Sequence, residues 1–365
     1  MRVVQLLPEL NEGGVERGVV ELSRELVRRG IESIVISAGG KQVAKMGADG
    51  GRHIFFDAAS KNLFSAPSRI SRLRQLFEEL NPDIIHARSR VPAWLAYLAN
   101  RKLHRPFVTT VHGFNSVNRY SRVMTYGDRV ICVSGAIRDY VVQHYNVPPE
   151  KLIIVPRGID LEQFNPAHLN KSFMTEFSER FDLGGKFVVS TVGRITQLKD
   201  YETFISALHL LQKQRPDLIG LIVGGVREDK QEYFQRLKKQ VAGLHAGGYI
   251  HFTGSQSNVA EIYAMSDVVV SSSKKPESFG RSAAEALAMH VPVAASGHGG
   301  MLDIVLPGKT GQLFEPGDVQ GLAKAIKDCQ SLPRNTLRDF VRENFSLEQM
   351  VDKTVEVYRE LISDE

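Results

Sequence analysis

The sequence predicts an α/β protein built from two doubly wound Rossmann-like domains that face a central cleft. Short apolar runs alternate with longer amphipathic runs along the chain, the pattern of strands and helices that build parallel sheets. A chain of 365 residues is also too long for one ordinary core, because domains average ~150 residues. Parallel sheets of this kind bind ligands at the carboxyl ends of their strands, so functional residues are expected in the loops there.

The first half of the chain predicts six strands separated by helices. The helices are clearest where an amphipathic run has Pro or Ser near its start, or ends at a glycine such as Gly30. The predicted strands are residues 3–7, 34–36, 84–85, 107–111, 130–133 and 153–155. The predicted helices are residues 15–29, 67–80, 92–103 and 137–145.

The second half repeats the same alternation after a linker. Residues 155–166 contain two prolines and a glycine and interrupt the periodicity, so we place the linker there and the domains at 1–165 and 166–345. The predicted strands of the second domain are residues 187–192, 219–223, 250–252, 268–271, 293–295 and 312–314. A final amphipathic helix at 346–362 is not required by either sheet, and it is a candidate to cross back over the first domain.

Composition indicates a globular protein of a reduced compartment. Hydrophobic residues at 42% and charged residues at 24% exclude a disordered or fibrous chain. The apolar start is interrupted at Pro8, far short of a signal peptide or a spanning helix. Cys132 and Cys329 form no C-x-x-C pair, so neither a disulfide framework nor a cysteine metal site is predicted. We expect a cytoplasmic protein, either free or peripheral on the inner membrane.

Positive charge is concentrated in the first domain. Residues 1–165 hold 23 Lys and Arg against 16 Asp and Glu, whereas the remainder holds 23 against 25. Such a field favours anionic partners, which include phosphorylated acceptors and acidic lipid head groups. Nucleic acid ranks last and is not predicted, because no recognition motif or basic-aromatic repeat accompanies the charge.

The stretch 276–285 is the strongest candidate for a ligand site. Glu277 follows the predicted strand 268–271, and Gly280 allows a tight turn so that the amides of Phe279 and Arg281 open a helix. Those amides suit a phosphate or sugar hydroxyls. Glu285 lies about two helical turns further on, so the two acids would contact different parts of one long ligand. Alternatively, both glutamates are only solvated surface groups.

Two loops of the first domain add candidates. Gly13 and Gly14 directly precede a helix, which allows a phosphate to approach the backbone closely, although a simple tight turn has the same pattern. His112 ends the strand 107–111 and is followed by glycine, so it can donate or accept a hydrogen bond near a reacting group. His86 also follows an apolar strand, and position alone does not exclude it.

The loop after the first strand of the second domain carries two cations. Arg194 can grip a diphosphate with two hydrogen bonds, and Lys199 supplies a point charge. The sequence contains no D-x-D pair, so these cations would replace the Mg²⁺ of metal-dependent transferases. A fourth loop, 297–300, again leads glycines into a helix and can be a turn only.

These residues together resemble the family 4 retaining glycosyltransferases of the GT-B fold. The resemblance covers nearly the whole chain, and its most specific part is the glutamate pair that encloses Phe279 and Gly280. It implies two Rossmann-like domains, a nucleoside-diphosphate sugar as substrate and no metal cofactor. UDP is the nucleotide expected at the level of the family, since no residue of the sequence indicates the base.

By that resemblance each candidate receives a role. The catalytic side chains are His112, beside the anomeric centre, and Glu277. The residues that the resemblance assigns to the donor diphosphate are Gly13, Gly14, Arg194 and Lys199. Those that it assigns to the donor sugar are Glu277, Phe279, Gly280 and Arg281, and Glu285 takes the ribose. Arg281 stands where the family often has an apolar residue, which can alter donor choice.

The predicted activity is metal-independent transfer of a sugar, with retention, to a hydroxyl of a phosphorylated or lipid-linked glycan. We expect a UDP-sugar donor and a role in bacterial lipopolysaccharide core or surface polysaccharide synthesis. Arg119 and Arg122, which follow the His112 loop, are predicted to line the acceptor side of the cleft. The alternatives are a nucleotide-sugar epimerase on the same scaffold, a non-catalytic nucleotide-sugar binding protein, and a dinucleotide oxidoreductase, which the missing G-x-G-x-x-G motif disfavours.

Overall fold

A computed structural model describes residues 1–11 and 13–363. The chain divides into two compact units, the first formed by Met1–Gly158 together with the segment from Leu347, and the second by Ile159–Ser346. Each unit is an α/β fold with one wholly parallel sheet, as the sequence predicts. No helix among the described residues is long and apolar enough to cross a membrane.

The first unit has a seven-stranded sheet in the order β3-β2-β1-β4-β5-β6-β7. Its strands are β1 (Arg2–Leu6), β2 (Glu32–Ser37), β3 (Arg52–Phe55), β4 (Ile84–Ala87), β5 (Phe107–Val111), β6 (Arg129–Cys132) and β7 (Leu152–Ile154). Strand β3 is missing from the sequence prediction. It lies at the sheet edge, where its side chains are half-buried or exposed, so its sequence carries Arg and His and forms no apolar run.

Five helices pack on this sheet between its strands. They are α1 (Gly14–Arg28), α2 (Val43–Ala48), α3 (Ala66–Leu80), α4 (Arg90–Asn100) and α5 (Gly135–Tyr145). The start of α5 is fixed by Ser134, whose hydroxyl accepts a hydrogen bond from the Ile137 amide at 3.2 Å. The end of α3 is fixed by Asn81, which adopts the left-handed conformation that stops a helix.

The second unit has a six-stranded sheet in the order β10-β9-β8-β11-β12-β13. Its strands are β8 (Phe187–Val192), β9 (Leu218–Val223), β10 (Ile250–Gly254), β11 (Val268–Ser271), β12 (Val293–Ser296) and β13 (Gly311–Phe314). Its helices are α6 (Lys171–Arg180), α7 (Tyr201–Gln212), α8 (Gln231–Gly243), α9 (Val259–Ala264), α10 (Arg281–Ala288), α11 (Met301–Ile304), α12 (Val319–Cys329) and α13 (Leu337–Phe345). All six strands match predicted ones to within a few residues.

The closing helix α14 (Leu347–Ser363) returns to the first unit. Its buried face includes Val351, Val355 and Tyr358, which pack in one apolar cluster with Val3 and Leu22. Burying a large apolar side chain contributes about 1.5–3 kcal/mol to the free energy of unfolding, so these residues of α14 form a substantial part of the core of the first unit. The final helix therefore does cross back to the first unit, a possibility that the sequence could only suggest.

The first unit ends earlier than the predicted boundary at residue 165. The amide of Ile159 donates to the carbonyl of Phe345 at 2.8 Å, and Phe164 is buried in an apolar cluster of the second unit. Residues 159–165 therefore belong to the second unit, because their hydrogen bonds and apolar contacts lie there.

Candidate functional site

In the second unit, three loops meet at the carboxyl edge of the sheet, and two of them carry the predicted donor residues. They follow β8, β11 and β12, which are consecutive neighbours in the sheet. Because all strands are parallel, the loops emerge side by side. This topology brings together Lys199 and Glu277, which are 78 residues apart in sequence.

Lys199 and Glu277 form an ion pair at the centre of this edge. The Lys199 Nζ lies 2.7 Å from Glu277 Oε1, which also accepts hydrogen bonds from Ser273 Oγ at 2.5 Å and Ser271 Oγ at 3.4 Å. Burial raises the pKa of Glu277, but the Lys199 charge and the two hydroxyls outweigh it and leave the pKa below its usual value. Glu277 is therefore an ionised hydrogen-bond acceptor at neutral pH.

The backbone beneath Lys199 is held by polar contacts. Ser272 Oγ donates to the carbonyls of Lys199, at 2.9 Å, and Asp200, at 3.1 Å. The buried Asp200 pairs with Lys274 Nζ at 3.0 Å, and Tyr201 OH donates to the Gly193 carbonyl at 2.7 Å. These bonds fix the loop after β8 to the loop after β11, so Lys199 is presented from a rigid support.

Gly280 shapes the start of α10. Its φ of 115° is a value that only glycine adopts readily, and a Cβ there would lie 2.8 Å from Met301 Sδ. The first amides of a helix have no acceptor within the helix, so the start of α10 can bind an anion or hydroxyls. The Phe279 side chain is buried edge-on against Phe345 and can contribute only its backbone amide to such a site. Arg281 is half-buried at the first position of the helix.

Glu285 lies on the buried side of α10. It is 7% exposed, and Tyr263 OH donates to its Oε2 at 3.3 Å. A carboxylate that is this buried requires polar partners, so a solvated surface role is excluded for Glu285. The other predicted donor residue, Arg194, is exposed on the loop after β8.

The glycine loop after β12 supports Glu277 and is more than a turn. The Gly300 amide donates to the Glu277 carbonyl at 2.7 Å, and His298 Nε2 lies 2.9 Å from the Ser273 carbonyl. A Cβ on Gly299 would lie 2.5 Å from the Glu277 carbonyl oxygen, so only glycine fits. The sequence prediction did not include this support, although the run of glycines after a strand was a signal for it.

In the first unit, the carboxyl edge collects a second set of polar residues. Gly14, Arg88 and His112 follow β1, β4 and β5, which are neighbours in the sheet, and Arg157 follows β7. A Cβ on Gly14 would lie 2.6 Å from Arg157 Nη1, so the glycine allows the guanidinium to approach the start of α1. Gly13 adopts an extended conformation just before α1. Glu12, in the same loop, lies outside the described residues.

Two arginines of this edge were not among the predicted site residues. Arg88 Nη2 donates to Gln5 Oε1 at 2.8 Å, which holds its guanidinium against β1. Arg157 Nη2 lies 3.5 Å from His112 Nδ1. Arg157 lies in the linker region and 45 residues from His112, so no sequence pattern joined the two.

His112 is neutral at physiological pH. Burial, followed by the charges of Arg157 and Arg88, lowers the pKa of His112 well below its usual range. Because Arg157 donates to Nδ1, the ring proton resides on Nε2. The Nε2 atom is buried and has no hydrogen-bond partner among the described residues, so it can donate to a ligand oxygen.

His86, the alternative to His112, is a structural residue. It is fully buried, and its two ring nitrogens lie 2.6 Å from Tyr358 OH and 2.6 Å from Thr110 Oγ1. Both nitrogens are therefore satisfied inside the protein, and the contact with Tyr358 ties the sheet to α14. This excludes His86 as a ligand-binding group.

Arg119 and Arg122 line a cavity of their own. Both are exposed, and with Val117 and His144 they border a cavity of about 250 Å³. His112 is not among the residues that line this cavity. Among the described residues, no group of three or more His, Cys, Asp or Glu could hold a metal ion.

Comparison with known proteins matches both units to sugar-transfer proteins. Residues 12–163 match the profile "Glycosyltransferase Family 4", and residues 174–345 match "Glycosyl transferases group 1". N-acetyl-alpha-D-glucosaminyl L-malate synthase of Bacillus anthracis is 28% identical, over 95% of this chain and 94% of the relative.

Two solved structures share the fold along the whole chain. A glycosyltransferase from Rickettsia africae ESF-5 superposes with a TM-score of 0.92 at 30% identity, covering 100% of this chain and 99% of that one. HepE of Anabaena, crystallised with UDP and glucose, superposes with a TM-score of 0.83 at 20% identity, covering 98% and 99%.

Proposed function

The chain belongs to the family 4 glycosyltransferases of the GT-B fold and is a hexosyltransferase, and from that premise we propose its reaction. The protein transfers a sugar from a nucleoside-diphosphate sugar to a hydroxyl of an anionic acceptor, without a metal and with retention of configuration. The observation that carries the proposal is the Lys199–Glu277 ion pair of 2.7 Å beside the start of α10.

The ion pair matches the junction between a diphosphate and its sugar. Lys199 supplies a cation for the phosphate, and the ionised Glu277 in contact with it accepts hydrogen bonds from sugar hydroxyls. Arg194, exposed on the same loop as Lys199, can reach a phosphate with two N–H groups. The amides of Phe279, Gly280 and Arg281 complete the sugar and phosphate contacts at the start of α10.

Glu285 is assigned to the ribose of the donor. Glu285 lies five residues after Gly280 on α10, and its carboxylate is oriented by the hydrogen bond from Tyr263 OH. A carboxylate accepts from both hydroxyls of a diol, which suits a ribose. We take UDP as the nucleotide because the HepE structure contains UDP.

Protein cations replace a metal in this proposal. The sequence has no D-x-D pair, and Lys199 and Arg194 provide the positive charge that a leaving diphosphate requires. Retention is proposed from the resemblance to the retaining family 4 enzymes. Because Glu277 is assigned to sugar hydroxyls, no covalent nucleophile remains for a double displacement, so a front-face mechanism fits better. The acceptor hydroxyl then attacks on the face from which the diphosphate departs, and its proton passes to the departing phosphate oxygen. His112 Nε2, a donor of the first unit without a protein partner among the described residues, is available for a substrate oxygen.

The first unit supplies the acceptor side. Arg88 and Arg157 give its carboxyl edge a positive charge next to the neutral His112, which favours an acceptor that carries phosphate or carboxylate. The Bacillus anthracis relative is named for an L-malate product, and malate is such an anion. A phosphorylated or lipid-linked glycan of lipopolysaccharide core or surface polysaccharide has the same chemistry and remains our proposed acceptor class.

The test measures donor binding and turnover together. Lys199→Ala and Arg194→Ala should each weaken UDP binding about 10- to 150-fold, because a hydrogen bond to a charged group is worth about 1.5–3 kcal/mol. Lys239→Ala, at an exposed lysine on α8 rather than on a strand-end loop, is the matched control and should bind UDP normally. Turnover should be unchanged in EDTA.

Three results would contradict parts of this proposal. Loss of turnover in EDTA that Mg²⁺ or Mn²⁺ restores would reject metal independence. Inversion at the anomeric carbon of the product, read by NMR coupling constants, would reject retention. Donor consumption that does not depend on any acceptor would favour the nucleotide-sugar epimerase.

A further inference from the structure

An apolar groove lies in the first unit, and none of the candidate site residues lines it. It is an open cavity of about 510 Å³ between the loop before α3, helix α3 itself and helix α4. Its size falls in the range of small-molecule sites. Its apolar lining includes Leu63, Ile70, Val91, Trp94, Leu98 and Tyr120.

Two large apolar side chains project into solvent at the rim of this groove. Leu63 is 83% exposed and the adjacent Phe64 is 99% exposed. Arg69 holds the loop that carries them, since its guanidinium donates to the carbonyls of Ser60 and Asn62, each at 2.9 Å. A fixed loop that presents two adjacent apolar side chains to water indicates a contact surface.

The surroundings of the groove are positively charged. Residues 58–77 contain four Lys and Arg and no Asp or Glu, and residues 84–127 contain seven and again no acid. Every residue that lines the groove belongs to one of these two segments. Lys61 and Arg90 are among the lining residues, and Arg90 stacks over the Tyr120 ring at 5.4 Å. An anionic partner with an apolar part complements this combination.

We propose that this groove face, defined by Lys61, Leu63, Phe64, Trp94 and Tyr120, docks on an anionic lipid bilayer and takes an apolar lipid chain into the groove. Leu63 and Phe64 enter the apolar boundary of the bilayer, while the flanking cations contact lipid phosphates. Trp and Tyr side chains favour that interface, since each has an apolar ring and a polar group. The inference deepens the proposed function and rests on it for a lipid-linked acceptor.

The experiment is flotation of the full chain with vesicles, without any sugar substrate. The wild type should bind vesicles that contain phosphatidylglycerol and should bind pure phosphatidylcholine vesicles much more weakly. The double variant L63S/F64S should bind the anionic vesicles at least about 10-fold more weakly, because two apolar anchors are lost. Both side chains are exposed, so the variant keeps the fold.

Matched controls separate this face from general surface effects. Leu302→Ser removes an exposed leucine of the second unit, 49% exposed, and should leave vesicle binding unchanged. Lys61→Gln should weaken binding about fivefold in low salt, and Lys45→Gln, at an exposed lysine on α2, should not.

Several outcomes would overturn the inference. Wild-type protein that fails to bind anionic vesicles, or L63S/F64S that binds as tightly as wild type, would reject it. A wild-type dimer in light scattering that L63S/F64S converts to a monomer would assign the face to a second copy of the chain. UDP binding measured on the same samples keeps this result separate from the proposed activity, which concerns other residues.

Discussion

Replacing Glu277 with Gln tests whether Glu277 and Lys199 bind different parts of the donor. Gln keeps the shape of the side chain and can still accept from Ser273 and Ser271, but it removes the charge. In our proposal Glu277 binds the sugar while Lys199 binds the diphosphate. Turnover should therefore fall while affinity for UDP, which has no sugar, is kept.

The expected magnitude follows from the contacts of the carboxylate. A hydrogen bond to a charged group contributes about 1.5–3 kcal/mol, so loss of the charge should lower kcat about 10- to 150-fold. The same substitution releases Lys199 from a 2.7 Å ion pair, so the UDP affinity should stay the same or rise. The pair is partly exposed, so the protein should lose only ~1 kcal/mol of stability.

The assay combines steady-state turnover of a UDP-sugar with calorimetric titration of UDP. Glu179→Gln, at an exposed glutamate on α6 of the same unit, is the matched control and should behave as wild type in both measurements. A kcat within threefold of wild type, or a UDP affinity that falls as much as kcat, would refute the division of roles.

Three further predictions concern other parts of the protein. Glu285→Ala should weaken UDP binding itself about tenfold or more in the same titration, and unchanged affinity would reject the ribose assignment. Burial lowers the pKa values of His86 and His112 below the usual 6.5, so below that pH the unfolded state takes up protons first. As the pH is lowered, the free energy of unfolding should therefore fall by about 1.4 kcal/mol per histidine and pH unit, until the histidines of the folded state are also protonated. Denaturant titrations between pH 7.5 and 5.5 should detect this loss of stability. Replacing Arg119 and Arg122 with Ser should raise the acceptor KM, reduce the salt sensitivity of turnover and leave UDP binding unchanged, and unaltered acceptor kinetics would reject their acceptor role.

The sequence predicted the strands well wherever burial leaves a local pattern. A strand covered on both faces is rich in apolar residues, so β5, β8 and β11 could be located from the chain alone. The edge strand β3 was not predicted, because its side chains are half-buried or exposed and its sequence need not be apolar. The positions of the strand-end loops follow from those of the strands, so the amino-acid sequence alone also indicated Lys199, Glu277 and His112 as candidates.

What the sequence determined by itself was the α/β alternation, the parallel sheets and the loops that carry candidate ligand residues, because each rests on the burial of neighbouring residues. The contacts between distant residues became known from the folded chain. The tertiary structure joined Lys199 to Glu277 across 78 residues, Arg157 to His112 across 45, and Tyr358 to His86 across 272. It thereby assigned the closing helix to the first unit and excluded His86, because hydrogen-bond partners supplied by distant strands and helices leave no pattern in the local sequence.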